Sequence, residues 1–157
     1  MRVVIQRVSS ASLRIDGSDA GRMGPGMVVL LAVSELDKEQ LTDDQIAKLA
    51  AKTANLRIFD DGEGRMNLSA VQLGLAVMVV SQFTLYADTR KGNRPSFTDA
   101  ATADFAEAIY DRYVANLSTF GLKPFLTGSF GADMEIELTN DGPVTIIIDT
   151  KEWQDHG

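Results

Sequence analysis

One histidine, His156, and no cysteine among 157 residues leave hydroxyls, lysines, tyrosines and carboxylates as the candidates for side-chain chemistry. Without a thiol there is no disulfide scaffold, no Cys-ligated zinc site, no iron–sulfur cluster and no thiol nucleophile. His156 is next to last in the sequence, where side chains are poorly placed for catalysis, so a Ser-His-Asp triad is not expected. Among the hydroxyls, Ser81 and Thr84 of Ser81-Gln82-Phe83-Thr84 follow an apolar run of strand length at residues 75–80. The end of a buried strand is where open sheets present functional groups to a crevice. No sequence neighbour supplies a base to activate either hydroxyl, and both could equally end the strand by bonding backbone groups.

Gly142-Pro143 is the second feature, because an X-Pro bond is where a cis peptide is accessible; an ordinary turn between two strands is the alternative. Arg7, set in the apolar run 2–8, either faces water or reaches inward to donate to backbone carbonyls. Arg90, Lys91 and Arg94 crowd a polar segment whose one acid is Asp88, and either hold phosphates or solvate a loop. The acids of Asp60-Asp61-Gly62-Glu63-Gly64 lack the spacing of a calcium loop and read as a hairpin turn. No metal and no organic cofactor are expected.

These residues must be held by a core, and 45% hydrophobic against 24% charged residues is a composition that folds rather than stays disordered. The length predicts one domain, residues 1–150, followed by a tail, 151–157, that is polar apart from Trp153. Residues 2–8 and 11–15 are expected to form an antiparallel hairpin, and 27–33 a central strand buried on both faces. Thr42 and Gln45 match a capping box that opens a helix ending near Leu56, and a longer helix is expected over 99–120 with Gly121 as its C-cap. Runs 134–138 and 144–148 read as two strands joined by a polar turn. The predicted fold is a single α/β domain: a mixed, mostly antiparallel curved sheet system, layered α/β/β, covered by two main helices. No apolar run reaches the ~18 residues of a membrane span and no signal peptide is visible, so a cytoplasmic protein is expected. A net charge of −7 means that any nucleic-acid contact must be local.

Gln6-Arg7-Val8, Met66-Asn67-Leu68, Ser81-Gln82-Phe83-Thr84-Leu85, Arg94-Pro95-Ser96-Phe97 and Asn140-Asp141-Gly142-Pro143-Val144-Thr145 together carry a resemblance over nearly the whole chain. On them the chain resembles the D-aminoacyl-tRNA deacylases, whose two signature motifs are both complete here. The intact first motif favours the D-specific branch over its sister group.

The resemblance implies a hydrolase of translation quality control that cleaves the ester between a D-amino acid, with glycine a further candidate, and the tRNA 3′ end. It implies a homodimer with active sites at the subunit interface. The Gly142-Pro143 bond would be cis and inserted into the partner's site, where an L side chain would collide with its carbonyls. Arg7 would brace that loop, Phe83 would shape the pocket, and Phe130 and Met134 would line the place of the terminal adenine. Ser81, Gln82, Phe83 and Thr84 would form the catalytic segment, with backbone N–H groups of residues 82–84 facing the developing oxyanion. Arg90, Lys91 and Arg94 would meet tRNA phosphate. With no general base apparent, the terminal ribose hydroxyl would assist; Thr84 as a covalent nucleophile is the rival. The competing readings are a DNA-binding module that uses the same dimer without catalysis, and a purely structural dimer.

Overall fold

Val and Ile dominate the start of the chain, and residues 2–15 run as one long strand, β1 (Arg2–Ile15), in a computed structural model that describes residues 1–153. The expected hairpin between residues 2–8 and 11–15 is not formed, because these are the two halves of β1. The hairpin lies one element later. Asp16 and Gly17, at φ 48° and 81°, make the tight turn into β2 (Ser18–Met23), the left-handed pair that an Asp-Gly two-residue loop requires.

β1 shifts register against β8 around Val8 and serves two cores. Val3 and Ile5 pack beneath the helices, whereas Val8 and Leu13 join a second cluster with Val28 and Met78. β3 (Gly26–Ala32), buried along almost its whole length as its apolar run predicts, lies antiparallel to β1 and parallel to β6 (Ala76–Ser81), which in turn lies parallel to β7 (Phe125–Thr127). The sheet order is β2-β1-β3-β6-β7, with β8 (Met134–Asp149) along the other side of β1. The expected pair of strands at 134–138 and 144–148 is thus a single strand, both halves of which pair antiparallel with β1.

Two main helices cover one face. In α2 (Asp43–Asn55) the expected capping box is formed: Gln45 N–H donates to Thr42 Oγ1 at 3.3 Å, and Thr42 N–H to Gln45 Oε1 at 3.0 Å. α4 (Ala103–Ser118) begins later than its apolar spacing suggests, because Ala101 N–H donates to the Val33 carbonyl at 3.0 Å and Ala100 bridges Ser34. The chain is still a bridge to the sheet at those residues. Tyr113 donates to Thr53 Oγ1 at 2.8 Å to join the helices, and Tyr110 donates to the Val79 carbonyl at 2.8 Å to anchor α4 on the sheet. Short α1 (Asp37–Gln40) and α3 (Ala70–Leu73), and the small hairpin β4 (Phe59–Asp60) and β5 (Met66–Leu68), complete the domain.

A 3-10 turn, Thr150–Trp153, carries the fold past residue 150, with Trp153 packed against the core and Lys48 over its ring. His156 and the rest of the polar tail lie outside the described residues. Among the described residues no helix is long and apolar enough to cross a membrane.

Candidate active site

β6 delivers Ser81 to the edge of the core, and the chain then turns. Gln82 N–H donates to the Leu31 carbonyl at 2.7 Å, and residues Phe83–Tyr86 form a single 3-10 turn closed by Leu85 N–H on the Gln82 carbonyl at 3.2 Å. In the first turn of any such helix the leading N–H groups have no carbonyl within the turn to bond, which leaves those of Phe83 and Thr84 to serve an external acceptor. Arg2 locks the far end of the turn: its Nη1 donates to the Leu85 carbonyl at 2.8 Å while its Nε donates to Asp149 at 3.0 Å.

The side chains follow from that backbone. Gln82 Nε2 donates to Thr84 Oγ1 at 2.5 Å, and both lie toward solvent. Phe83 is 56% exposed and meets Phe97 edge-on with ring centroids 5.1 Å apart. Beside them is an apolar recess of about 110 Å³, lined by Leu31, Val33, Ser81, Phe83, Ala106 and Phe130. The turn therefore brings together Ser81, Phe83 and Phe130. Met134 does not line this recess; it packs with Leu13 and Met78 in the second core cluster.

The other motif is built by a register change. Gln6 pairs with Thr145 and Val8 with Asn140, so residues 141–144 of β8 loop out opposite Arg7. Asn140 clips the excursion, accepting from Val144 N–H at 3.0 Å and donating to Thr145 Oγ1 at 3.1 Å. Arg7, only 7% exposed, reaches inward: Nε donates to the Asp141 carbonyl at 3.0 Å and Nη1 to the Ile58 carbonyl at 2.8 Å, with Asp60 Oδ1 at 3.3 Å. The Gly142–Pro143 peptide is cis, and both residues are exposed at the tip.

Within one chain the motifs are far apart. Ser81 is level with Leu31 and Val3, whereas Thr145 is level with Gln6, and β3 and β1 intervene. Three strand spacings across and about three residues along separate them by roughly 15–20 Å.

In the basic segment Asp88 and Ser96 bond reciprocally through their backbones, at 2.7 and 2.9 Å, which closes the loop 89–95. Arg90 is committed to Asp88, donating from Nε at 2.8 Å and from Nη2 at 2.7 Å. These hydrogen bonds from Arg90 pull the Asp88 carboxyl down to about 2. Lys91 and Arg94 are exposed and form no ion pair among the described residues. The acidic turn after β4 is also accounted for: Asp61 accepts from Glu63 N–H at 2.8 Å and Arg65 N–H at 3.0 Å, which lowers its pKa.

Sequence reasoning missed Ile58 and Asp60, which hold Arg7, and Phe97, which pairs with Phe83. Their neighbours in sequence carry no sign of these contacts. It also missed the Asn140 clip, although an Asn opening a polar Asp-Gly-Pro segment is a signal for a turn closed by a side chain.

The family model described as D-Tyr-tRNA(Tyr) deacylase matches residues 4–149. A D-aminoacyl-tRNA deacylase of Paracoccus denitrificans (strain Pd 1222) is 51% identical to this chain, covering 97% of it and 99% of the relative. Among solved structures, a c-Myc DNA Unwinding Element Binding Protein is 35% identical with a TM-score of 0.85, over 95% of this chain and 98% of that one. The structure of a probable eukaryotic D-amino acid tRNA deacylase is 20% identical and shares the fold, with a TM-score of 0.82 over 94% of this chain and 98% of that one.

Proposed function

This chain belongs to the D-Tyr-tRNA(Tyr) deacylase family, and from that premise we propose that it hydrolyses the ester between a D-amino acid and the 3′ end of tRNA, sparing the L-form. The observation that carries the reading further is the distance between its two motifs. A recess beside Ser81-Gln82-Phe83-Thr84 and a rigid Gly142-Pro143 tip held by Arg7 cannot serve one substrate within a single chain. A homodimer completes the site: the tip of one protomer enters the recess of its partner, a shared geometry natural to a two-fold interface.

In that arrangement the carbonyls of Gly142 and Pro143 face the substrate's α-carbon, and an L side chain strikes them where a D side chain points away. Rejection by collision needs no attractive D-specific contact, so D-amino acids of different sizes, and glycine, are all admitted to the same site. Phe130 lines the side of the recess that takes the terminal adenine.

For the chemistry, water adds to the ester carbonyl, and the N–H groups of Phe83 and Thr84 bind the oxyanion. The C–O bond to the ribose then breaks, the ribose oxygen takes a proton, and the free amino acid leaves. The neighbouring ribose hydroxyl relays the proton, because the Thr84 hydroxyl is bonded to the Gln82 amide and not to a base. A covalent role for Thr84 lacks an activating partner. The protein acts where charged tRNA is used, in the cytoplasm, as a step of translation quality control.

Binding of DNA without catalysis is the competing reading, since one solved neighbour is named for it. A net charge of −7 disfavours it, and retardation of duplex DNA at physiological salt without any deacylation would establish it instead. The shared site is tested by mixing two inactive variants, Gly142→Trp and Phe83→Asp, refolded together. Mixed dimers hold one intact site, so D-tyrosyl-tRNA turnover should return to about a quarter of wild type. No recovery would place the whole site in one chain.

A further inference from the structure

We infer that Phe97, paired with Phe83, is a stacking surface for the unpaired base that precedes the terminal nucleotide of the substrate, with Lys91 and Arg94 meeting the adjoining phosphates. This rests on the reading of the substrate as a tRNA 3′ end. Phe83 and Phe97 are 56% and 36% exposed, and they come from different segments: the turn after β6 and the end of the basic loop. The reciprocal Asp88 and Ser96 bonds close the loop that carries Lys91 and Arg94, and Phe97 follows directly on that closure.

Size and charge choose the occupant. The recess of about 110 Å³ has already to admit the aminoacylated terminal nucleoside and the partner's Gly142-Pro143 tip, which leaves no room in it for a second nucleotide. The next nucleotide must lie on the surface at the recess mouth, where Phe83 and Phe97 are. A single-stranded 3′ end presents an unstacked base followed by phosphate, and exposed aromatics next to unpaired cations are the matching surface. Arg90 is spent on Asp88, so Lys91 and Arg94 supply the positive charge in a chain of net charge −7. Phe97 has no hydrogen-bonding group, so it reads the face of a base and not its identity.

The test uses two non-hydrolysable probes, 3′-(D-tyrosylamino)-3′-deoxyadenosine and the same compound extended at its 5′ end by cytidylate, titrated calorimetrically into the full-length dimer. Wild type should bind the extended probe about tenfold more tightly, Phe97→Leu should abolish that advantage, and Phe97→Tyr should keep it. An advantage that survives in Phe97→Leu, or is absent from the wild type while the nucleoside probe binds, overturns the inference alone. Dissociation of the Phe97→Leu dimer in sedimentation also overturns it, because Phe97 would then face a second copy of the chain. Binding of neither probe by the wild type overturns the deacylase reading together with this one.

Discussion

Arg7 donates to the Asp141 carbonyl at 3.0 Å and to the Ile58 carbonyl at 2.8 Å, so one buried guanidinium ties the Gly142-Pro143 tip to the β4–β5 hairpin. Arg7→Met leaves both acceptors without a donor and should cost about 2–3 kcal/mol of stability. Arg7→Lys keeps the charge but lacks the fork that spans both carbonyls, and should lose D-specific turnover while staying folded. Thermal unfolding and deacylation rates measured together check both halves; full activity in Arg7→Lys would mean that the tip does not need bracing.

A methyl group at Gly142 would meet Arg7 Nη2 at 3.0 Å and Val144 Cγ2 at 2.8 Å, at φ +128°. Gly142→Ala should therefore lower turnover of D-tyrosyl-tRNA by about tenfold or more. Thr84→Ser should lower it less. Thr84→Ala separates the chemical routes: if the ribose assists, turnover stays within about tenfold of wild type, whereas loss of a covalent nucleophile costs on the order of 10⁴ or more. Single-turnover rates on folded variants decide between them.

Lys91→Ala and Arg94→Ala should each weaken tRNA binding and flatten its salt dependence by about 0.7 in log–log slope, the single-strand value per phosphate contact. Arg90→Ala should change that slope less, because its guanidinium is occupied by Asp88. A carboxyl held down at about 2, against an ordinary 3.8, keeps the clip charged at assay pH and releases it only as the pH falls through that lower value. An Asp88 carboxyl titration followed by NMR should show this midpoint; one near the ordinary value would mean that Arg90 is free.

Tyr86 ends the 3-10 turn after β6 with its hydroxyl buried and, among the described residues, without a hydrogen-bond partner, close to a Ser34 hydroxyl that donates to Asp37 at 2.9 Å. Burial pushes the phenol pKa up. The ring keeps its place through Arg2, 4.8 Å above it, so Tyr86→Phe should be neutral or stabilise the fold by up to about 1 kcal/mol. A loss beyond about 1 kcal/mol in urea unfolding would show that the hydroxyl has a partner.

Local signals were enough for α2, whose capping box and apolar spacing agree, and for β3, whose unbroken apolar run is buried between neighbours on both sides. They failed for β1 and β8. Ser9-Ser10 and Asn140-Asp141-Gly142-Pro143 look like turns in isolation, and only pairing across more than a hundred residues makes each half continue the other's strand. The site divides in the same way. Ser81, Phe83 and Phe130 meet around one recess, which no local signal announced, whereas Met134 follows a turn at Gly131 and lands in the other core cluster. Arg7 could be read as reaching for carbonyls; which carbonyls was hidden, because Ile58 and Asp60 reach it through a hairpin that only the fold brings near.

Chirality is the property to measure, by the deacylation rates of matched D-tyrosyl- and L-tyrosyl-tRNA with the purified protein and chelator present. Release from the D-form should be rapid, with the L-form decaying no faster than without protein. Equal release from both would contradict the steric filter at Gly142-Pro143, and release from neither would contradict the hydrolase itself.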